Sequence, residues 1–474
     1  MPRWSWRAVL ALGAATCAAT AAVGDWIGGL AIVVLWLIWM YLQQEGGVPV
    51  LAAALTFQWL QVTIGLWYYA ATGRRLDTME LSDYRPMVLI GLGCCAALGA
   101  GLYAGISLVK RRQPPSDDDG ALIPISWPAL ATVYVIATAM QGVLSSIAYD
   151  VPGLTQPILA MRFVRLAAVF VVFRRLCHPV PRWPWIAAVV GVEVVLGTTG
   201  FFAGFREPLV MAAIALYEAF DNRRISHWIA AGTLATLAAV LSVMWMNVRR
   251  DFRESFDDET FAASRQAKMD RMVELASNWW KEDTHDARET DKLVDRLWTI
   301  YYPALAVSRV PSVLPHTDGS LMQGALQHVL NPRLFFPTKA ELQSDSEMVR
   351  KYSGLYVAST EQNTSIAFGY AAESYIDFGM PMMFLPMFLY ALAMGMAFQF
   401  LAGHISHAEL RAGLLAVIFW LSLYLFERSW VKILGLAGTL LIYLGGPALL
   451  CDYYLSRWER RRPQIADPEY GSYA

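Results

Sequence analysis

Runs of apolar residues long enough to cross a bilayer fill most of the 474-residue chain, and one polar stretch interrupts them. A span needs roughly 20 apolar residues. On that rule helices are expected near 8–24, 26–43, 48–72, 87–109, 127–148, 157–176, 184–204, 208–221, 227–247, 379–402, 412–427 and 431–454. The interruption, 248–364, holds 15 Lys/Arg and 18 Asp/Glu. Within it, apolar residues recur at helical spacing between Phe261 and Trp280, and again from Leu293 to Leu305. These read as amphipathic helices lying over the membrane surface, with Pro303, Pro311 and Pro315 breaking regularity after them.

The expected fold is therefore an all-α polytopic membrane protein. It has about a dozen transmembrane helices and one large periplasmic loop of amphipathic helices between the ninth and tenth. The units are the membrane helices of 1–247, a loop domain over 248–378 that ends in a membrane-interface segment, membrane helices over 379–456, and a tail over 457–474. Short-loop Lys and Arg set the orientation. Lys110–Arg112, Arg174–Arg182, Arg223–Arg224 and Arg457–Arg462 fall on one side if the chain starts in the cytoplasm; Arg74, Arg75 and Arg85 dissent. A bacterial inner membrane, with both termini cytoplasmic and the loop periplasmic, follows.

Composition agrees. Only 16% of residues are charged and mean hydropathy is +0.38, against about 25% charged in soluble domains. A net charge of -1 gives no reason to expect a nucleic-acid partner. The five cysteines lie in or beside apolar runs, none in the polar insertion, so neither a disulfide scaffold nor a CxxC metal site is expected there. No metal or other cofactor is expected.

The residues that could carry chemistry stand at one end of these spans. Arg162 and Arg165, i,i+3 in an apolar helix, are expected on one face. Either they snorkel or pair with Glu193, or they bind an anionic headgroup, for which a planar guanidinium is suited. Arg206 and Arg428 are interfacial anchors or parts of the same cavity, and Arg296 leads into LWTIYYP. Glu373 and Asp377 are i,i+4 in AAESYIDFG. Near the interface a carboxylate's pKa rises toward that of a general base; the alternative is a pair with Arg333 or Lys339 that holds the loop down. His316 and His328 are loop histidines without metal-ligand spacing. Trp279, Trp280, Trp298, Tyr301 and Tyr302 are candidate stacking surfaces or pack onto the membrane surface.

Two segments resemble a known family. NPRLFFPTK, then TSIAFGYAAESYIDFG some thirty residues on, is similar to the pattern of Wzy-type oligosaccharide repeat-unit polymerases. The matching positions are Pro332, Arg333, Pro337 and Lys339, then Glu373, Tyr375, Phe378 and Gly379; Met380 and Pro381 stand where a glycine-containing step is usual. The resemblance implies a metal-independent glycosyltransferase acting on undecaprenyl-diphosphate-linked oligosaccharide. Arg162, Arg165, Arg206, Arg333 and Lys339 would hold the diphosphate. Glu373, or next Asp377, would be the base, with Arg296, Arg428, Tyr375 and His328 as further candidates. Membrane lipids, a flippase and a chain-length regulator are the implied partners. The alternatives are an O-antigen ligase-like transferase, which a catalytic His316 or His328 would favour, and a lipid-linked oligosaccharide flippase. The lack of a two-fold repeat argues against the flippase.

Overall fold

A computed structural model describes residues 6–43, 47–74, 76, 83–111, 125–150, 155–198, 204–256, 265–281, 287–331, 336, 344–358 and 365–461. Among them regular structure is entirely helical. The first four helices are α1 (Trp6–Val23), α2 (Trp26–Leu42), α3 (Val50–Thr72) and α4 (Arg85–Lys110). Then come α5 (Trp127–Asp150), α6 (Thr155–Arg162), α7 (Val164–Cys177), α8 (Trp183–Thr198), α9 (Arg206–Glu218) and α10 (Ile225–Glu254). The insertion folds as α11 (Arg265–Lys281), α12 (Ala287–Leu297), α13 (Tyr301–Arg309), α14 (Ser320–Leu330), α15 (Asp345–Ser353) and α16 (Gly369–Phe378). The chain ends with α17 (Phe384–His404), α18 (Ala408–Leu423), α19 (Trp430–Leu440) and α20 (Gly446–Arg461), the last two joined by a π turn at Leu441–Gly445.

Among the described residues helices thus occupy the apolar stretches, and six are long and apolar enough to cross a membrane. These are Val50–Thr72, Arg85–Lys110, Thr155–Cys177, Ile225–Phe252, Phe384–His404 and Trp430–Arg457. The boundaries move for identifiable reasons. The expected helix over 157–176 bends at Phe163, whose N–H reaches back only to Ala160 O at 3.0 Å. The helix expected from 379 starts at Phe384, because Gly379 (φ +60°) holds a conformation barred to other residues. The second amphipathic stretch splits into α12 and α13. Pro303, with no N–H to donate, fits the first turn of a new helix and not the interior of an old one. At 30 residues α10 is about 45 Å long, more than the ~30 Å hydrocarbon layer, so its end carries the chain out into the insertion.

The tightest contact in the bundle joins α4 and α17. Any Cβ on Gly101 would stand 2.5 Å from Phe388 O, and one on Gly105 2.2 Å from Leu392 O; reciprocally, one on Gly395 would stand 2.3 Å from Leu102 O. Gly101 and Gly105 form a small-xxx-small step, which lets two backbones approach where no hydrophobic effect drives them together. On the other flank, only 17% of the apolar window of α10 is buried. There Val192, Val195 and Val240 face outward, as lipid-facing residues do.

Ion pairs tie one end of the bundle. Arg174 grips Glu218 with Nη2–Oε1 at 2.6 Å, Arg175 pairs with Glu409, and His407 Nδ1 lies 2.7 Å from Asp452. The insertion covers the other end and is anchored in the bundle. Trp298 is buried to 2% exposure, its ring against Gly65 and its Nε1 donating to Val62 O at 3.0 Å. Trp298 is thereby removed from the candidate stacking surfaces, since both faces and the N–H are committed.

Candidate functional site

The helix α16 carries both expected carboxylates, and two glycines fix its ends. Gly369 (φ +88°) lies so close to the chain after α18 that a Cβ would meet Phe426 O at 2.4 Å. A Cβ on Gly379 would stand 2.9 Å from the His316 ring. Side chains larger than hydrogen are therefore excluded at both ends. This helix sits beside an irregular turn, residues 424–429, between α18 and α19.

That turn leaves backbone groups unpaired, and other elements supply the partners. Gln58, on α3, donates to Leu423 O. Gln61, one turn on, donates to Tyr424 O at 2.8 Å and accepts from Phe426 N at 3.1 Å. Tyr370 N donates to Arg428 O at 2.7 Å, and the Tyr370 hydroxyl donates to Gln58. Glu373 closes the series: its Oε2 accepts from Trp430 N, the first N–H of α19, at 2.8 Å. Trp430 Nε1 donates to Ser374 Oγ at 2.8 Å.

Glu373 and Asp377 share a face, as expected, but have different surroundings. Asp377, 1% exposed, accepts from Thr317 Oγ1 at 2.5 Å, Leu321 N at 3.0 Å and Met322 N at 2.8 Å. It caps α14: Oδ1 accepts two of these bonds and Oδ2 the third. Asp377, expected as a second base, is thus buried and engaged in holding α14. Glu373 is half-buried, and its Oε1 takes no partner among the described residues. Desolvation pushes its carboxyl up to about 8, opposed by the Trp430 N–H and Lys432 and reinforced by Asp345 and Asp377. Lys432 pairs with Asp345 beside it.

The arginines divide. Arg206 lies within electrostatic reach of Glu207, Arg249, Arg296 and Tyr424. Arg296 Nη1 stands 3.5 Å from Glu427 Oε2. Arg428 donates from Nη1 to Leu421 O at 2.7 Å and stacks 5.2 Å over the Tyr424 ring. Arg206, Arg296 and Arg428 therefore gather about the 424–429 turn, whose far end binds Glu373. Arg165 is elsewhere. It is buried against Glu193, with Nε donating to Thr138 Oγ1 at 3.2 Å, while Tyr134 donates to Glu193 Oε1 at 2.5 Å. The expectation that it binds diphosphate is corrected: the guanidinium neutralises a carboxylate that would otherwise be buried unpaired. Nor does it share a face with Arg162, because the bend at Phe163 leaves Arg162 exposed while Arg165 is buried. Arg333 and Lys339 lie outside the described residues. Tyr375 donates to Val310 O at 3.2 Å and packs edge-on against His316, 5.7 Å between centroids. His328 is half-buried on α14.

Sequence reasoning missed Gln58 and Gln61. The signal was present: two amides i,i+3 in an apolar helix, the pattern that singled out Arg162 and Arg165. Trp430, Ser374 and Asp345 had no such signal.

No curated protein and no solved structure matches the chain. A family model does match, over residues 121–408, which takes in α16 and the whole insertion but stops short of the 424–429 turn. With more than half its length so matched, the chain belongs to DUF8712, a family defined by a domain of unknown function.

Proposed function

We propose that this protein is a membrane glycosyltransferase that polymerises oligosaccharide repeat units carried on undecaprenyl diphosphate. In this reading the twelve apolar helices all cross a bacterial inner membrane, the insertion lies in the periplasm and both termini lie in the cytoplasm. The observation that carries it is the juxtaposition about the 424–429 turn. On one side is a desolvated carboxylate, Glu373, whose Oε1 has no partner among the described residues; on the other are Arg206, Arg296 and Arg428.

The chemistry follows. An acceptor-sugar hydroxyl gives its proton to Glu373 Oε1 as its oxygen bonds to the anomeric carbon of the growing glycan. The bond from that carbon to the diphosphate breaks, and undecaprenyl diphosphate leaves with the electron pair. The arginines offset the charge that develops on it. Arg333 and Lys339 join them through the resemblance of their segment to the polymerase pattern.

The experiment is gene deletion complemented by wild type or Glu373→Gln. Deletion should leave lipid-linked single repeat units in place of polymer, and Glu373→Gln should fail to restore length while inserting normally. Polymer of normal length in the deletion strain overturns the reading. A second reading, a ligase, is favoured by His316. Its Nδ1 donates to Ile376 O at 3.2 Å, so the neutral ring keeps its lone pair on Nε2. Polymer made normally but not transferred in a His316→Ala strain would select it.

A further inference from the structure

The first helix of the insertion has more apolar surface than its neighbours cover. One side of α11 is committed, with Met272 and Leu275 buried against Trp245, Val248 and Phe252 of α10. Next to that face, Met269, Val273 and Trp280 are 40%, 63% and 70% exposed. At 100° per residue the three fall within about 40° of one another. They form one stripe along the edge of the buried face, and the basic Lys281 ends the helix next to Trp280.

The run of the helix is fixed at two points. Arg271 Nε donates to Ser255 Oγ at 2.9 Å, just past the end of α10. Further along, Trp279 packs on the buried cluster that holds Leu241, Met244 and Trp245 of α10. The helix therefore returns toward the apolar part of α10, and Trp280 is at its membrane-proximal end. That end meets α10 where its apolar run gives way to Asn247, Arg249 and Arg250. α8 and α10 share this cluster and expose Val192, Val195 and Val240, and only 17% of the apolar window of α10 is buried, so α11 packs against a helix with a largely lipid-facing surface.

We propose that α11 beds this stripe in the interfacial layer of the bilayer on the insertion's side. Trp280 sits deepest, Val273 shallower and Met269 at the rim. An indole prefers that layer, and Lys281, next to Trp280 at the helix end, meets lipid phosphates there. Neither point depends on the transferase reading.

The test uses the full chain with the exposed Cys17 and Cys451 changed to serine. Met269→Cys, Val273→Cys and Trp280→Cys each carry an environment-sensitive fluorophore in nanodiscs of phosphatidylcholine and phosphatidylglycerol. Headgroup and shallow-acyl nitroxide lipids should quench the label severalfold more at 280 than at 269, and aqueous iodide should rank the sites in reverse. Equal iodide quenching at all three sites, without lipid quenching, overturns the proposal. Shielding from both quenchers also overturns it; a disulfide between Val273→Cys copies would then assign the stripe to a second chain.

Discussion

Glu373 and Asp377, one helical turn apart, show how surroundings divide two like residues. Both cap another helix, but Glu373 keeps an oxygen without a partner among the described residues. Its carboxyl, lifted from an ordinary 4.5 to about 8, is mostly protonated at neutral pH. A base must be ionised to act, so transferase activity in membranes should rise with pH and level off above about 8. Glu373→Gln should abolish it at every pH. The folded state also holds this proton more tightly than the unfolded chain. The stability it contributes is fully present below about 4.5 and is lost as pH rises through about 8. Apparent melting temperature should fall over that window in wild type and less so in Glu373→Gln. For Asp377→Ala the expected loss is stability, about 3 kcal/mol, because two helix N–H groups and a buried hydroxyl lose their acceptor. Thermal melts in detergent check this, and an unchanged midpoint would count against the capping role.

Among the elements, the α4–α17 seam and the 424–429 turn carry the arrangement. Gly105→Leu places a side chain where the backbone of α17 already lies 2.2 Å from a Cβ. The two helices must part, and folded yield should fall severely, while Gly191→Ala, with open space about it, serves as the control. Helix positions were legible in the sequence because apolar runs of bilayer length admit one structure in lipid. The seam was legible in principle from Gly101 and Gly105 but needed its partner Gly395, and the pairing of helices is not written in either one. The arginines were half legible. Their cost in an apolar segment marked Arg165 as partnered, and Glu193 stood in the next helix as an alternative to phosphate. The choice between them depended on the bend at Phe163, which no sequence pattern announces.

For the whole molecule, the property to test is sidedness. In the proposed arrangement a periplasm-active reporter fused after Ser320 should be active, and one fused at 222 silent. The reverse pattern would invert the protein in its membrane. The ion pairs Arg174–Glu218 and Arg175–Glu409 temper the charge rule that predicts this orientation. Arginines held by carboxylates count for less at the surface than arginines in open loops.

Trp298 has a consequence of its own. A ring wedged into the notch at Gly65 works as a rivet, so the outer assembly cannot swing off the membrane body like a hinged cover. Any opening toward Glu373 therefore has to form between helices that stay in place.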